Sequence, residues 1–156
     1  MNHEIGNIVE GVKSGLILQQ VNCQGVMGSG VAAAIRRRWP VVYDEYVQFV
    51  GRASNEFGQG AHLLGNMQVV SVEPGLSVVN LFSQQYYGRT GERFTSYDAL
   101  DTSLAELRKF MDSRDIPQED VHHPLIGSGL GGGNWPIISG IIQHRLGYHT
   151  TLWTLE

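Results

Sequence analysis

Two stretches of the chain set several glycines between a strand-like run and a helix-like run, and no other feature limits the fold so closely. The first is VNCQGVMGSGVAAAI, Val21 to Ile35, and the second is HPLIGSGLGGGNWP, His123 to Pro136. Glycine in such a place costs conformational entropy on folding, so its use implies a turn that needs it or a close approach to the backbone. In an α/β sheet such strand-to-helix junctions lie at the carboxyl ends of strands, where ligands bind. There a helix N-terminus offers unpaired N–H groups and a partial positive charge, which suit an anion. Two such loops facing one crevice can hold a diphosphate without lysine or arginine. The same glycines can also serve tight turns and close helix–sheet packing.

The remaining chain alternates in the same manner. Residues 3–9 and 16–22 read as strands. Helical composition begins at Ser29 and Pro40 stops it; a second helix is expected over 41–57, ended by Gly58 and Gly60. Two β-branched runs, 66–72 and 77–82, flank a turn signal at Glu73-Pro74-Gly75. Over 95–115, Leu100, Leu104, Leu107 and Met111 form one apolar stripe, and Thr95 with Asp98 resembles a capping box. Residues 121–126 read as a buried strand. Asn134 is an N-cap, Pro136 fits the first turn, Ile137, Ile138, Ile141 and Ile142 form the buried face, and Gly147 closes the helix. A last strand is expected over 148–155. The pattern predicts one α/β domain, residues 1–156, with helices on both faces of a largely buried sheet.

Composition narrows the function. A chain of 156 residues can bury a core without disulfides or metal. Its net charge of -4 gives no general reason to bind nucleic acid or an anionic membrane. The one basic run, Arg36-Arg37-Arg38, reads as a solvated helix end, with a phosphate contact as the alternative. A single cysteine, Cys23, no apolar leader and no run long enough to span a bilayer predict a cytoplasmic protein. Cys23 is read as a small buried hydrophobe before a nucleophile. The histidines at 3, 62, 122, 123, 144 and 149 show no metal spacing, and His122 and His123 point to opposite faces of a strand. No metal and no cofactor are expected. Gly127, Gly129 and Gly132 match G-x-G-x-x-G, yet too little chain follows for a dinucleotide unit, and neither loop ends in Gly-Lys-Ser/Thr.

The segments GNI at Gly6–Ile8, VNCQGVMGSGVAAAIRRRWP, VVNLFSQQYYG, SYDALDTSLAEL, PLIGSGLGGGNW and TLWTL occur in the order found in macrodomains. The chain most resembles the small stand-alone branch that includes ADP-ribose-1″-phosphate phosphatases and terminal ADP-ribose protein glycohydrolases. That resemblance implies a three-layer α/β/α fold with a mixed, mostly parallel central sheet and a cleft for ADP-ribose. It implies Asn7, with Ile8, at the adenine and Asn22 at the distal ribose. Gly28, Ser29, Gly30 and Val31 would wrap the diphosphate and ribose. Gly127, Ser128, Gly129, Leu130, Gly131 and Gly132 would close over the diphosphate from the other side. Trp153 would stack on adenine, with a core tryptophan as the alternative.

Catalytic groups carry over less completely. Where the glycohydrolases are thought to use a lysine and an aspartate, this chain has Gln84 (or Gln85) and Gly131; where the phosphatases suggest a histidine, Gln19 stands near. Hydrolysis would then rest on Asn22, Ser128, backbone N–H groups and Gln84 positioning a water. Tyr86, Tyr87 and Arg89, in a polar glycine-punctuated loop, are candidates for gripping the distal ribose or its 1″ substituent. The expected function is ADP-ribose binding with hydrolysis of a 1″ derivative, ADP-ribose-1″-phosphate first. The alternatives are a binder or sponge without turnover and, more weakly, a protein de-ADP-ribosylase. The expected partner is this small molecule, not nucleic acid or membrane, with the protein a monomer or weak oligomer.

Overall fold

The computed structural model describes residues 1–57 and 61–156. Its strands are β1 (Asn2–Ile5), β2 (Gly15–Asn22), β3 (Met67–Glu73), β4 (Leu76–Gln84), β5 (Val121–His123) and β6 (Thr151–Thr154). They form one sheet in the order β1-β6-β5-β2-β4-β3. Every neighbouring pair is parallel except β3 and β4, an antiparallel hairpin at the edge. The helices are α1 (Ile8–Gly11), α2 (Gly30–Arg38), α3 (Pro40–Phe57), α4 (Tyr97–Ser113) and α5 (Trp135–Leu146).

Alternation along the central strands sorts the core into two sides. Ile17 and Val21 of β2, with Val78 and Phe82 of β4, pack on α1, α2 and α3. Leu16 and Leu18, with Val79 and Leu81, pack on α4 and α5. The expected three layers and mixed, mostly parallel sheet are present. The stripe Leu100, Leu104, Leu107 and Met111 is fully buried on α4.

Several local expectations change. The first strand ends at Ile5; Asn7 then caps α1, its Oδ1 accepting from the Val9 N–H at 3.1 Å, so residues 7–9 are not strand. Ser96 rather than Thr95 caps α4, because its hydroxyl reaches the Ala99 N–H while Thr95 is used elsewhere. Ile138 and Ile142 are buried on α5, whereas Ile137 is exposed. The last strand is shorter than expected, Thr151–Thr154. The helix end expected at Gly58 and Gly60 lies outside the described residues.

The change with most consequence is in β5. It covers only Val121–His123, since Pro124 cannot donate to a ladder and the chain leaves the sheet there. In the register Leu16↔Val121 and Ile17↔His122, its last residue falls beside Leu18. β2 continues to Asn22, so its upper half has no strand neighbour on that side. This gap is the floor of the cleft described next.

Candidate functional site

The cleft has a volume of about 910 Å3 and lies at the carboxyl ends of β2, β5 and β6. One wall is the loop from Asn22 into α2; the other is the loop from Pro124 to Gly131. Trp153 to Glu156 stand at one end, and Gln84 with Tyr87, Gly88 and Arg89 also border it.

The first loop is held from below. Asn22 is buried, and its Oδ1 accepts from Gln24 N at 2.9 Å, Val26 N at 3.4 Å and the Tyr46 hydroxyl at 2.8 Å. Its Nδ2 donates to Val26 O at 2.8 Å. That leaves one amide hydrogen of Asn22 for the cleft. Above this brace, among the described residues, the N–H groups of Gly28, Ser29, Gly30, Val31 and Ala32 have no protein partner. Ser29 is the N-cap of α2, but its hydroxyl makes no capping bond. Gly30 has φ +60 and open space where a side chain would stand. Open N–H groups, a free hydroxyl and the positive end of a helix face the same space. Such an assembly accepts an anion.

The second loop rests on a polar cluster. Gln20 Nε2 donates to Gln84 Oε1 at 2.7 Å and to Thr95 Oγ1 at 2.9 Å, and Gln20 Oε1 accepts from Ser83 at 2.6 Å. Thr95 in turn donates to Gly127 O at 2.9 Å. Phe94 N and Thr95 N both donate to Gly131 O, at 2.8 and 3.0 Å. Among the described residues, the N–H groups of Gly129, Leu130 and Gly131 have no protein partner. Ser128 spends its hydroxyl hydrogen on Leu125 O at 2.9 Å, and Gln84 donates to Tyr86 O at 2.7 Å while accepting from Gln20.

The titratable side chains of the lining are Tyr87, Arg89 and Glu156. Cys23 is fully buried, and desolvation pushes its thiol up to about 11, so it offers no thiolate near neutral pH. Among the described residues no group of three His, Cys, Asp or Glu is placed to hold a metal ion, and no helix is long and apolar enough to cross a membrane.

No family model matches the chain. It is 30% identical over 156 residues to the ADP-ribose 1″-phosphate phosphatase of Meyerozyma guilliermondii, covering 83% of each chain. A 17.5 kDa protein of Enterobacteria phage T4 is also 30% identical, over 122 residues, 78% of this chain and 74% of that one. A macrodomain protein from Streptomyces coelicolor superposes with a TM-score of 0.75 at 28% identity, covering 98% of this chain and 97% of that one. The chain belongs to the macrodomain family.

In this macrodomain most of the residues singled out from sequence meet in one cleft. Asn22, Gly28, Ser29, Gly30, Val31, Gly127, Ser128, Gly129, Leu130, Gly131, Gln84 and Trp153 all line it. Asn7, Ile8 and Gly132 do not. Asn7 caps α1, Ile8 is buried in the core, and Gly132 backs onto the Glu92 carbonyl. Sequence reasoning missed Gln20, Thr95 and Tyr46, which hold the two loops. Gln20 carries a readable signal, a polar side chain in the apolar run LILQQV.

The glycine excess has a cause within the protein. A Cβ on Gly131 would lie 2.6 Å from Thr95 Oγ1, 2.8 Å from Gln20 Nε2 and 2.8 Å from Gly127 O. A Cβ on Gly127 would lie 2.9 Å from both Gln20 Oε1 and Thr95 Oγ1. Of the glycines in this second loop, only Gly129 has open space. The glycines thus let the loop settle on the Gln20–Thr95 cluster, and no carboxylate side chain fits at 131 without moving that cluster. Gly131→Ala is expected to destabilise the fold by about 1–3 kcal/mol through overpacking, lowering Tm by roughly 2–10 °C. Gly129→Ala should leave Tm nearly unchanged, and calorimetric scans of the two variants check the contrast.

Proposed function

We propose that this macrodomain binds ADP-ribose in the cleft and releases phosphate from ADP-ribose-1″-phosphate. The observation that carries the reading is the pair of facing loops whose backbone N–H groups have no protein partner. Five lie on the α2 side and three on the Gly127–Gly131 side. They supply donors to a diphosphate from two directions in a cleft of the size that encloses a nucleotide-sized ligand. The Meyerozyma relative's name supplies the 1″-phosphate as the group to be removed. Hydrolysis consumes one water and gives ADP-ribose and inorganic phosphate. The cleft lining holds no histidine, lysine or aspartate and its one carboxylate side chain is Glu156, so the rate rests chiefly on positioning of the water and on donors aimed at the departing oxygen.

Arg89 is the only cationic side chain of the lining, and among the described residues it has no ion-pair partner. A guanidinium there suits the additional phosphate of the 1″ ester. Arg89→Gln is expected to weaken the 1″-phosphate ester about tenfold, the worth of one charge-assisted hydrogen bond, and to change ADP-ribose affinity little. Equal weakening of both ligands would remove Arg89 from that role.

Titration calorimetry with ADP-ribose tests binding, and no heat at millimolar ligand would refute the reading. Phosphate release from ADP-ribose-1″-phosphate then tests turnover. The absence of histidine, lysine and aspartate from the lining favours a second reading, a binder of ADP-ribose derivatives without turnover. Tight binding with no phosphate released would select it.

A further inference from the structure

Trp153 reaches the cleft from a slot built by residues that the proposed function does not use. Its ring edge lies against Gly6 and Gly11, and a methyl group on Gly11 would overlap the indole. Its indole N–H donates to Nδ1 of His122 at 3.0 Å, with the two ring centroids 6.1 Å apart. His122 sits on β5 beneath the cleft floor and shares the Trp153 face of the sheet, since it pairs with Thr151, two residues before the tryptophan.

The chemistry of this bond is one-sided. An indole N–H only donates, so His122 Nδ1 must be unprotonated and the neutral ring carries its proton on Nε2. An imidazolium has two donors and no acceptor. Protonating His122 therefore sets an N–H against an N–H and frees the indole from the one hydrogen bond it makes among the described residues.

We propose that His122 is the positioning residue for Trp153, holding the indole at the cleft wall when neutral and releasing it when protonated, so that affinity for an adenine nucleotide falls in acid. The ligand half of this statement rests on the function proposed above. Half-burial favours the neutral ring and holds His122 below the ordinary 6.5, opposed by Asp120 on the preceding turn and Glu4 on β1. The other titratable neighbour, His123, lies on the opposite face and stays neutral well below that range.

The test joins an NMR titration to binding. In the free wild-type protein the Trp153 indole N–H resonance should move with pH, its midpoint coinciding with that of the His122 ring and lying below 6.5. In His122→Asn, where Oδ1 can accept near the Nδ1 position without titrating, that resonance should be flat. In His122→Leu it should be shifted at every pH. Wild-type affinity for ADP-ribose should fall toward a limit of about tenfold as His122 titrates, the worth of one hydrogen bond. His122→Asn should lose this dependence, and His122→Leu should bind weakly and without dependence. Acid loss of the whole fold moves all three proteins alike, so the comparison is between variants at one pH. An indole resonance that ignores the His122 titration would overturn the proposal, and so would an acid loss of affinity that persists in His122→Asn. A protein that binds no ADP-ribose at any pH sinks the proposed function instead, and the indole titration still decides the His122–Trp153 coupling.

Discussion

Asn22→Ala is expected to lower phosphate release from ADP-ribose-1″-phosphate by about a hundredfold, the typical cost of misplacing a site by an ångström. It is also expected to cost stability, on the order of 3 kcal/mol. Both effects have one origin. The Asn22 side chain accepts from Gln24 N, Val26 N and the Tyr46 hydroxyl and donates to Val26 O, so truncation strands Gln24 N, Val26 N and Val26 O in a largely buried site, while the Tyr46 hydroxyl keeps the Asn22 carbonyl. The loop whose N–H groups face the cleft loses its brace, and the single Asn22 hydrogen available to a ligand goes with it. Tyr46→Phe separates these contributions. It removes only the hydroxyl that touches Asn22 O at 2.6 Å and Asn22 Oδ1 at 2.8 Å, and leaves the asparagine in place. If loop bracing matters, Tyr46→Phe should reproduce part of the loss in rate, read beside urea midpoints for both variants. A full rate in Asn22→Ala would show that the first loop is not part of the reaction.

The layers and the cleft were legible from sequence because they depend on local signals. The short apolar run of β2, the β-branched run of β4, the stripe on α4 and the caps at Asn134 and Gly147 each lie within one segment. What was not legible depends on partners far apart in the chain. Thr95 has the residue type of a helix cap, but its hydroxyl is taken by the half-buried Gln20 amide and Gly127 carbonyl, and Ser96 is free to cap instead. The short β5 follows the same logic. The run VHHPLI is apolar enough for a longer strand, yet Pro124 lacks the N–H that the next ladder position needs.

The second glycine loop shows how far a local argument reaches. Glycine there does signal close approach, as the pattern implied. At Gly127, Gly131 and Gly132 the approaching atoms belong to Gln20, Thr95 and Glu92, while the open N–H groups facing the cleft are those of Gly129, Leu130 and Gly131. A sequence records that something must come near, and only the fold says what.

Acid should unfold this protein earlier than its carboxylates alone would. His123 is fully buried, with Nδ1 donating to Pro124 O at 3.0 Å and Nε2 accepting from the Thr150 hydroxyl at 3.1 Å. Burial pushes its pKa down from 6.5 to about 4, and the Pro124 carbonyl offsets only part of that. Above pH 6.5 both folded and unfolded chains hold the ring neutral, so its stability is fully present. As pH falls from 6.5 toward 4 the unfolded chain takes up a proton that the folded chain refuses, and unfolding is favoured by up to about 1.4 kcal/mol per pH unit. Across that window the loss sums to roughly 3 kcal/mol, a large share of an ordinary domain's stability. Asp101 acts later. Its carboxyl is held below 3.8 by the Arg145 guanidinium, so its contribution is lost only as pH drops through that lower range. Urea midpoints measured from neutral pH to about pH 4 should therefore fall steadily, and His123→Gln should flatten most of the slope even if it lowers the neutral-pH midpoint. A wild-type profile flat over this window would mean that the ring is accessible enough to take its proton in the folded state. That would contradict the buried, neutral ring at the place, between His123 and Pro124, where β5 leaves the sheet and the cleft begins.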